Sequence, residues 1–252
     1  MAGHSHWAGI KHKKAAVDAK RSKLWSKLSK AIIVAAKMGG GDPDANIRLR
    51  AAIQEAKAVS LPKDNIERAI KKGTGEIDGG NVEEILYEGY GPEGVAVMCE
   101  IMTDNRNRTA PEIRKIFDVH KGSLGSTGCV AYNFERKGLI AIALEDCEEE
   151  RAVEIAMEAE AQDVQSYDDR VEIFTTPEQL TDVTQAFESA QVKMTVNEVI
   201  RLPHTTVDVE ESAVRTVLKL LEALEDHDDV QKVSTNLDFN SEIVAKVFAE
   251  SE

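Results

Sequence analysis

Apolar residues recur at helical spacing along the first third of the chain. Residues 14–37 contain no Pro or Gly and read as one long helix, with Val17, Leu24, Leu28 and Ile32 on one arc and a stop at Met38-Gly39-Gly40-Gly41. A second helix is expected over 44–59, with Ile47, Ala51 and Ala58 among its buried positions. A third opens at Leu61-Pro62-Lys63-Asp64 and closes at Gly73, after Lys71 and Lys72, the cations a helix C-terminus favours. These three segments predict a three-helix bundle.

The glycine-rich stretch from Gly73 to Gly80 marks a boundary near 77, beyond which the period changes from helical to alternating. Strands are expected over 84–90 and 94–102 around Gly91-Pro92-Glu93-Gly94. A helix follows over 110–120, with Thr109 and Glu112 as a capping box, and then a strand over 128–134. From Gly138 the rhythm restarts. Strand 138–144, helix 148–161, strands 163–167 and 170–175, helix 177–190 and strand 193–200 form a β-α-β-β-α-β unit. Helix 210–226, strand 230–237 and a short helix over 241–249 remain. The tail from about 201 is expected to return and complete the earlier α/β unit. The predicted fold is therefore multidomain, α and α+β. A three-helix bundle (1–76) precedes two ferredoxin-like α/β domains, 77–136 with 201–252, and 137–200 inserted within it.

Charge changes this picture from architecture to function. The formal net charge is −14, which taken alone argues against a polyanionic partner. The distribution argues the other way. Residues 1–76 hold sixteen Lys or Arg against seven Asp or Glu, a net of +9, whereas 77–252 hold fifteen against thirty-eight, a net of −23. Such asymmetry points to a nucleic-acid partner or to a solvated basic face. At about 100° per residue, Lys20, Lys23, Lys27 and Lys30 fall within an arc of roughly 80°, separate from the apolar arc. That face is expected to be free for phosphates, with Lys11, Lys13, Lys14 and Arg21 adding charge at the entry. Trp7 reads either as a stacking platform for a base or as an anchor for the tail. A second basic patch, Asn105-Arg106-Asn107-Arg108-Thr109 with Arg114, Lys115 and Lys121, flanks a helix start, where unpaired N–H groups favour an anion or cap their own helix.

Enzymatic and metal classes find little support. No phosphate-binding P-loop, H-E-x-x-H, G-x-S-x-G or dinucleotide fingerprint is present. Cys99, Cys129 and Cys147 are widely spaced and odd in number, so neither disulfides nor a zinc site is expected. His4, His6 and His12 lack the spacing and carboxylates of a metal centre, and Glu148, Glu149 and Glu150 read as a helix start. No apolar run spans a membrane and the start lacks the apolar core of a secretory signal, so a reducing cytoplasm is expected. No cofactor, metal, membrane or small-molecule substrate is expected, and nothing in the sequence indicates the oligomeric state.

Several strings carry a resemblance: MAGHSHWAGIKHKKAAVDAKRSKLWSKL, NIRLRAAIQEAK, LPKDNIERAIKKGTG, YEGYGPEGVAVM, TDNRNRTAPEIRKIF and VAYNFERKG. They are similar to the YebC/PmpR family, which also includes the mitochondrial translational activator of cytochrome c oxidase. The resemblance implies three domains, with one α/β unit inserted in another. It also implies a non-enzymatic regulator of gene expression: a DNA-binding transcriptional regulator, or a ribosome-associated factor that contacts ribosomal RNA and aids translation through proline-rich stretches. The chain departs from the family pattern at Ser123, where a second glycine is expected, and at Leu61, which replaces methionine with little change of volume.

Overall fold

A computed structural model describes residues 18–238 together with 243, 246 and 247. Among them no helix is long and apolar enough to cross a membrane. They divide into two compact units, Ala16–Val130 with Arg215–Val233, and Ala131–Val214 with Ser234–Glu252.

The first unit begins with helix α1 (Asp18–Gly39). Residues 14–17 of the expected helix lie outside the described residues. Leu28 and Ile32 are buried as expected, together with Ile33, Val34, Ala35 and Ala36, whereas Leu24 is 40% exposed. Gly40, at φ +85°, takes the chain out of the helix. Helix α2 (Ile47–Ala58) starts three residues later than expected because Asn46 caps it. The Asn46 side-chain oxygen accepts from the Leu49 N–H at 3.0 Å, and its amide donates to the carbonyls of Ala35 and Gly40. The cap sets the phase of the helix. Leu49, Ala52 and Ala56 turn inward, and Ile47, about 200° round from Leu49, is 70% exposed. The expected burial of Ile47, Ala51 and Ala58 is thus corrected to the row beginning at Leu49.

Helix α3 (Lys63–Thr74) runs past Gly73 to a left-handed cap at Gly75, φ +81°. Gly73 does not close the helix. A Cβ there would lie 2.5 Å from the Ile33 carbonyl oxygen and 2.7 Å from the Ala36 Cβ, so it is the point at which α3 touches the backbone of α1. Gly73→Ala should therefore destabilise the bundle by about 1–3 kcal/mol through overpacking. The intrinsic helix preference alone would favour alanine by about 1 kcal/mol, so urea denaturation reads the sign directly.

The first sheet runs in the order β3 (Ser123–Leu124), β1 (Glu83–Tyr90), β2 (Ala96–Thr103) and β8 (Val230–Thr235). Strands β1 (Glu83–Tyr90) and β2 (Ala96–Thr103) form an antiparallel hairpin closing at the Tyr90–Ala96 pair. Helix α4 (Arg106–Val119) leads from β2 to β3 (Ser123–Leu124), which pairs with β1. The strand expected over 128–134 is absent. The buried carboxylate of Glu88 accepts from the N–H groups of Gly128 (2.7 Å) and Val130 (2.9 Å), which holds 128–130 out of a strand; a 3-10 turn follows at Ala131–Asn133. Ser123 sits in β3 opposite Tyr90; the close backbone approach is made by Gly122, where a Cβ would lie 2.6 Å from the Tyr90 carbonyl oxygen, and Gly125 packs against the Cys129 side chain.

The second sheet, in the order β5 (Asp163–Ser166), β6 (Arg170–Thr175), β4 (Phe134–Ala143) and β7 (Val196–Pro203), is antiparallel throughout. Its chain order is β4 (Phe134–Ala143), α5 (Glu149–Glu158), β5 (Asp163–Ser166), β6 (Arg170–Thr175), α6 (Leu180–Ser189) and β7 (Val196–Pro203). This is the β-α-β-β-α-β arrangement. Ile140, Ile142, Ala156, Ile173, Val183 and Phe187 make its core. The chain then forms α7 (Glu211–Glu225) and β8 (Val230–Thr235), and β8 lies beside β2. The run from β4 to β7 is thereby inserted within the chain that builds the first sheet. Most of the helix expected over 241–249 lies outside the described residues. Cys99 and Cys147 are buried, Cys129 is half-buried, and all three are free.

Candidate nucleic-acid interface

The lysine row of α1 meets the end of α7. That helix finishes with Glu222 and Glu225, has no cation in its last turn, and runs into Asp226-His227-Asp228-Asp229. Acidic groups are disfavoured there, because the exposed carbonyls already carry the negative end of the helix dipole. Helix α1 supplies the missing cations. Lys23 Nζ donates to the Asp226 carbonyl at 3.0 Å, Lys27 Nζ to the Glu225 carbonyl at 2.5 Å, and Lys30 Nζ to the Asp228 carbonyl at 3.1 Å. The spacing 23, 27, 30 puts all three on one face, as expected, but that face is not free of internal partners.

Lys30 also donates to Oδ1 of Asp229, whose side chain is 1% exposed. Asp229 Oδ2 accepts from Arg108 Nη2 at 2.6 Å, from the Thr109 hydroxyl at 2.7 Å and from the Thr103 hydroxyl at 3.1 Å. Burial alone would raise the Asp229 carboxyl, but the donors Lys30, Thr109 and Arg108 outweigh it and hold the group well below the usual carboxylate range. Arg108 is in turn pushed up, chiefly by its hydrogen bond to Asp229. The expected Thr109 cap is corrected by this arrangement. Asn105 caps α4, its side chain accepting from the Arg108 N–H at 3.1 Å, and Thr109 is buried in the hub. The Asp229 N–H donates to His227 Nδ1 at 3.1 Å, which leaves the proton on Nε2 to be donated to Glu112 at 3.0 Å.

Glu112, His227 and Asp229 bring ligand atoms within 4.8 Å of one another. The chemistry is nevertheless that of an ion-pair hub. Lys30 and Arg108 already occupy both Asp229 oxygens, and two fixed cations oppose a third. An open cleft of about 770 Å³ runs beside the hub, lined among others by Lys23, Lys115, His120, Asp226 and Asp228.

Of the remaining predicted site residues, Lys11, Lys13 and Lys14 lie outside the described residues, as do Trp7, His4, His6 and His12. Lys20 is in α1, with a side chain outside those described. Arg21 and Arg106 are exposed, and their side chains make no hydrogen bond or ion pair among the described residues. Asp229, Thr103, Thr109, His227 and Glu112 were not anticipated as a group. Their one signal in the sequence is the acidic ending of α7 without a local cation.

Comparison with known proteins covers nearly the whole chain. A family model described as the TACO1/YebC protein N-terminal domain matches residues 5–76, and one described as the TACO1/YebC second and third domain matches 82–237. A probable transcriptional regulatory protein of Rhodopirellula baltica is 60% identical over 247 residues, spanning 98% of this chain and 100% of that one. Another, from Natranaerobius thermophilus, is 56% identical over 247 residues, with coverage of 97% and 99%. The crystal structure of a conserved hypothetical protein from Aquifex aeolicus matches with a TM-score of 0.83 at 50% identity, covering 92% of this chain and 96% of that chain.

Proposed function

Because the chain belongs to the YebC/PmpR family, whose matched relatives are named probable transcriptional regulatory proteins, we propose that it is a non-enzymatic, cytoplasmic nucleic-acid-binding regulator of gene expression that acts on DNA. The observation that carries this reading is the net +9 of residues 1–76 in a chain of net −14. In the resting protein the phosphate contacts fall to Lys11, Lys13, Lys14, Lys20, Arg21 and Arg106, because Lys23, Lys27, Lys30 and Arg108 hold internal partners.

A salt titration tests the proposal. With about five phosphates engaged, log K on duplex DNA should fall against log salt with a slope near −4.5. Each of Lys13→Ala, Lys14→Ala and Arg106→Ala should flatten the slope by about one. A flat response in the unaltered protein would refute the reading. Stronger binding to a ribosomal RNA fragment in a parallel titration would move the assignment to the translational role.

A further inference from the structure

We propose that the acidic turn 225–229 is a built-in competitor for nucleic acid: it occupies Lys23, Lys27 and Lys30 of α1, and a polyanion gains those lysines only when α1 leaves the turn. The inference rests on the nucleic-acid reading above and adds to it an autoinhibitory contact. Three observations carry it. The lysines, spaced 23, 27, 30, are satisfied by acceptors of one turn, the carbonyls of Glu225, Asp226 and Asp228, with Asp229 as the carboxylate. A row of backbone oxygens set among Asp226, Asp228 and Asp229 presents to α1 what a phosphate backbone would present: closely spaced oxygens in a negative field. Lys30 is the limiting member, since its side chain is 17% exposed and cannot reach an external phosphate while it holds Asp229.

Opening has a defined cost and a defined return path. The lysine row straddles the start of the buried stretch of α1: Lys23 lies in the exposed part, whereas Lys30 lies two residues past Leu28, between the buried Leu28 and Ile32. Arg21, Ser22, Lys23, Leu24 and Ser26 are exposed, and Trp25, whose Nε1 donates to the Val59 carbonyl at 3.1 Å, is the aromatic tether before the core begins at Leu28. When Lys30 leaves, Asp229 keeps Arg108, Thr103 and Thr109, so the turn remains formed and ready to rebind. The apparent affinity for a polyanion is then the intrinsic one multiplied by the fraction of molecules in which α1 is released.

The test weakens the turn without dismantling it. Asp226 and Asp228 are exposed and their carboxylates make no hydrogen bond among the described residues, so Asp226→Asn with Asp228→Asn removes negative field and none of those bonds. On a duplex DNA of about two helical turns, the double variant should bind roughly five-fold tighter, as when the competent fraction rises from about a tenth to about a half. It should also show a steeper salt slope, since more lysines reach phosphates. The control is Glu149→Gln with Glu150→Gln at the start of α5, which changes net charge equally and should leave the affinity within a factor of about two. In the unaltered protein, saturation with the duplex should speed amide hydrogen exchange across 224–230. Tighter binding confined to the turn variant, with faster exchange there, supports the competitor. Equal gains in both variants, or unchanged exchange at 224–230 in a protein that does bind, overturns it. Absence of DNA binding in every variant refutes the nucleic-acid reading itself.

Discussion

Asp229→Ala lowers the stability of the unit Ala16–Val130 with Arg215–Val233 by about 3 kcal/mol, a fall of roughly 10 °C in its melting temperature. The carboxylate is 1% exposed and sits between Lys30, 17% exposed, and Arg108, 47% exposed. Removing it leaves the Lys30 ammonium in a poorly hydrated place with one carbonyl, that of Asp228, and leaves the hydroxyls of Thr103 and Thr109 without their shared acceptor. Breaking a buried pair from one side costs about 3–5 kcal/mol, and the half-exposed Arg108 can turn to water, which places the expectation at the lower end. The same group predicts an acid limb. Its folded-state pKa lies below the ordinary 3.8, so its contribution is complete above that value and is lost as pH falls beneath it. Thermal unfolding of the unaltered protein should therefore weaken steeply below about pH 4, and Asp229→Ala should weaken less over the same range. Parallel acid limbs in the two proteins would show that the hub contributes nothing through this carboxylate.

The helices and most strands were legible because their signals are local. The 23, 27, 30 spacing of α1 is set by helix geometry alone, and β6 (Arg170–Thr175) falls on the expected residues. The misreadings share one physical cause, a distant partner that overrides a local rule. Asn46 shifts the phase of α2 because its amide also binds Ala35 and Gly40. Gly73 resembles a helix stop, yet its missing side chain serves the approach of α1, and Gly75 ends the helix two residues later. Thr109-x-x-Glu112 fits a capping box, but the hydroxyl is drawn to Asp229, 120 residues away, and Asn105 takes the cap. Residues 128–134 look like a strand until the Glu88 carboxylate claims two of their N–H groups. The candidate site divides in the same way. The lysine face could be read from spacing, whereas the acceptors that fill it lie about 200 residues further along, in Glu225-Asp226-His227-Asp228-Asp229, which by itself reads as a solvated acidic turn.

Phe117→Ala should cost about 3–5 kcal/mol, because the cavity it leaves is walled by backbone that cannot follow the ring inward. Phe117 is fully buried on α4, against two glycines. A Cβ at Gly89 would lie 2.8 Å from its Cε1, and a Cβ at Gly122 would lie 3.2 Å from its Cδ1. Gly89 is locked in β1 by pairing with Val97 on one side and Leu124 on the other, and the Gly122 N–H donates to the Phe117 carbonyl at 2.9 Å. With both neighbours bound to the sheet and the helix end, the space vacated by the ring stays open and dry. The ring therefore seats α4 on β1 and with it the placement of Arg106 and Arg108 at the helix start. In urea the midpoint should fall with the slope of the transition unchanged, since the surface exposed on unfolding is nearly the same. A loss below about 1 kcal/mol would mean that α4 settles onto the two glycines once the ring is gone, and that the seat of the helix is set by its Asp229 contacts instead.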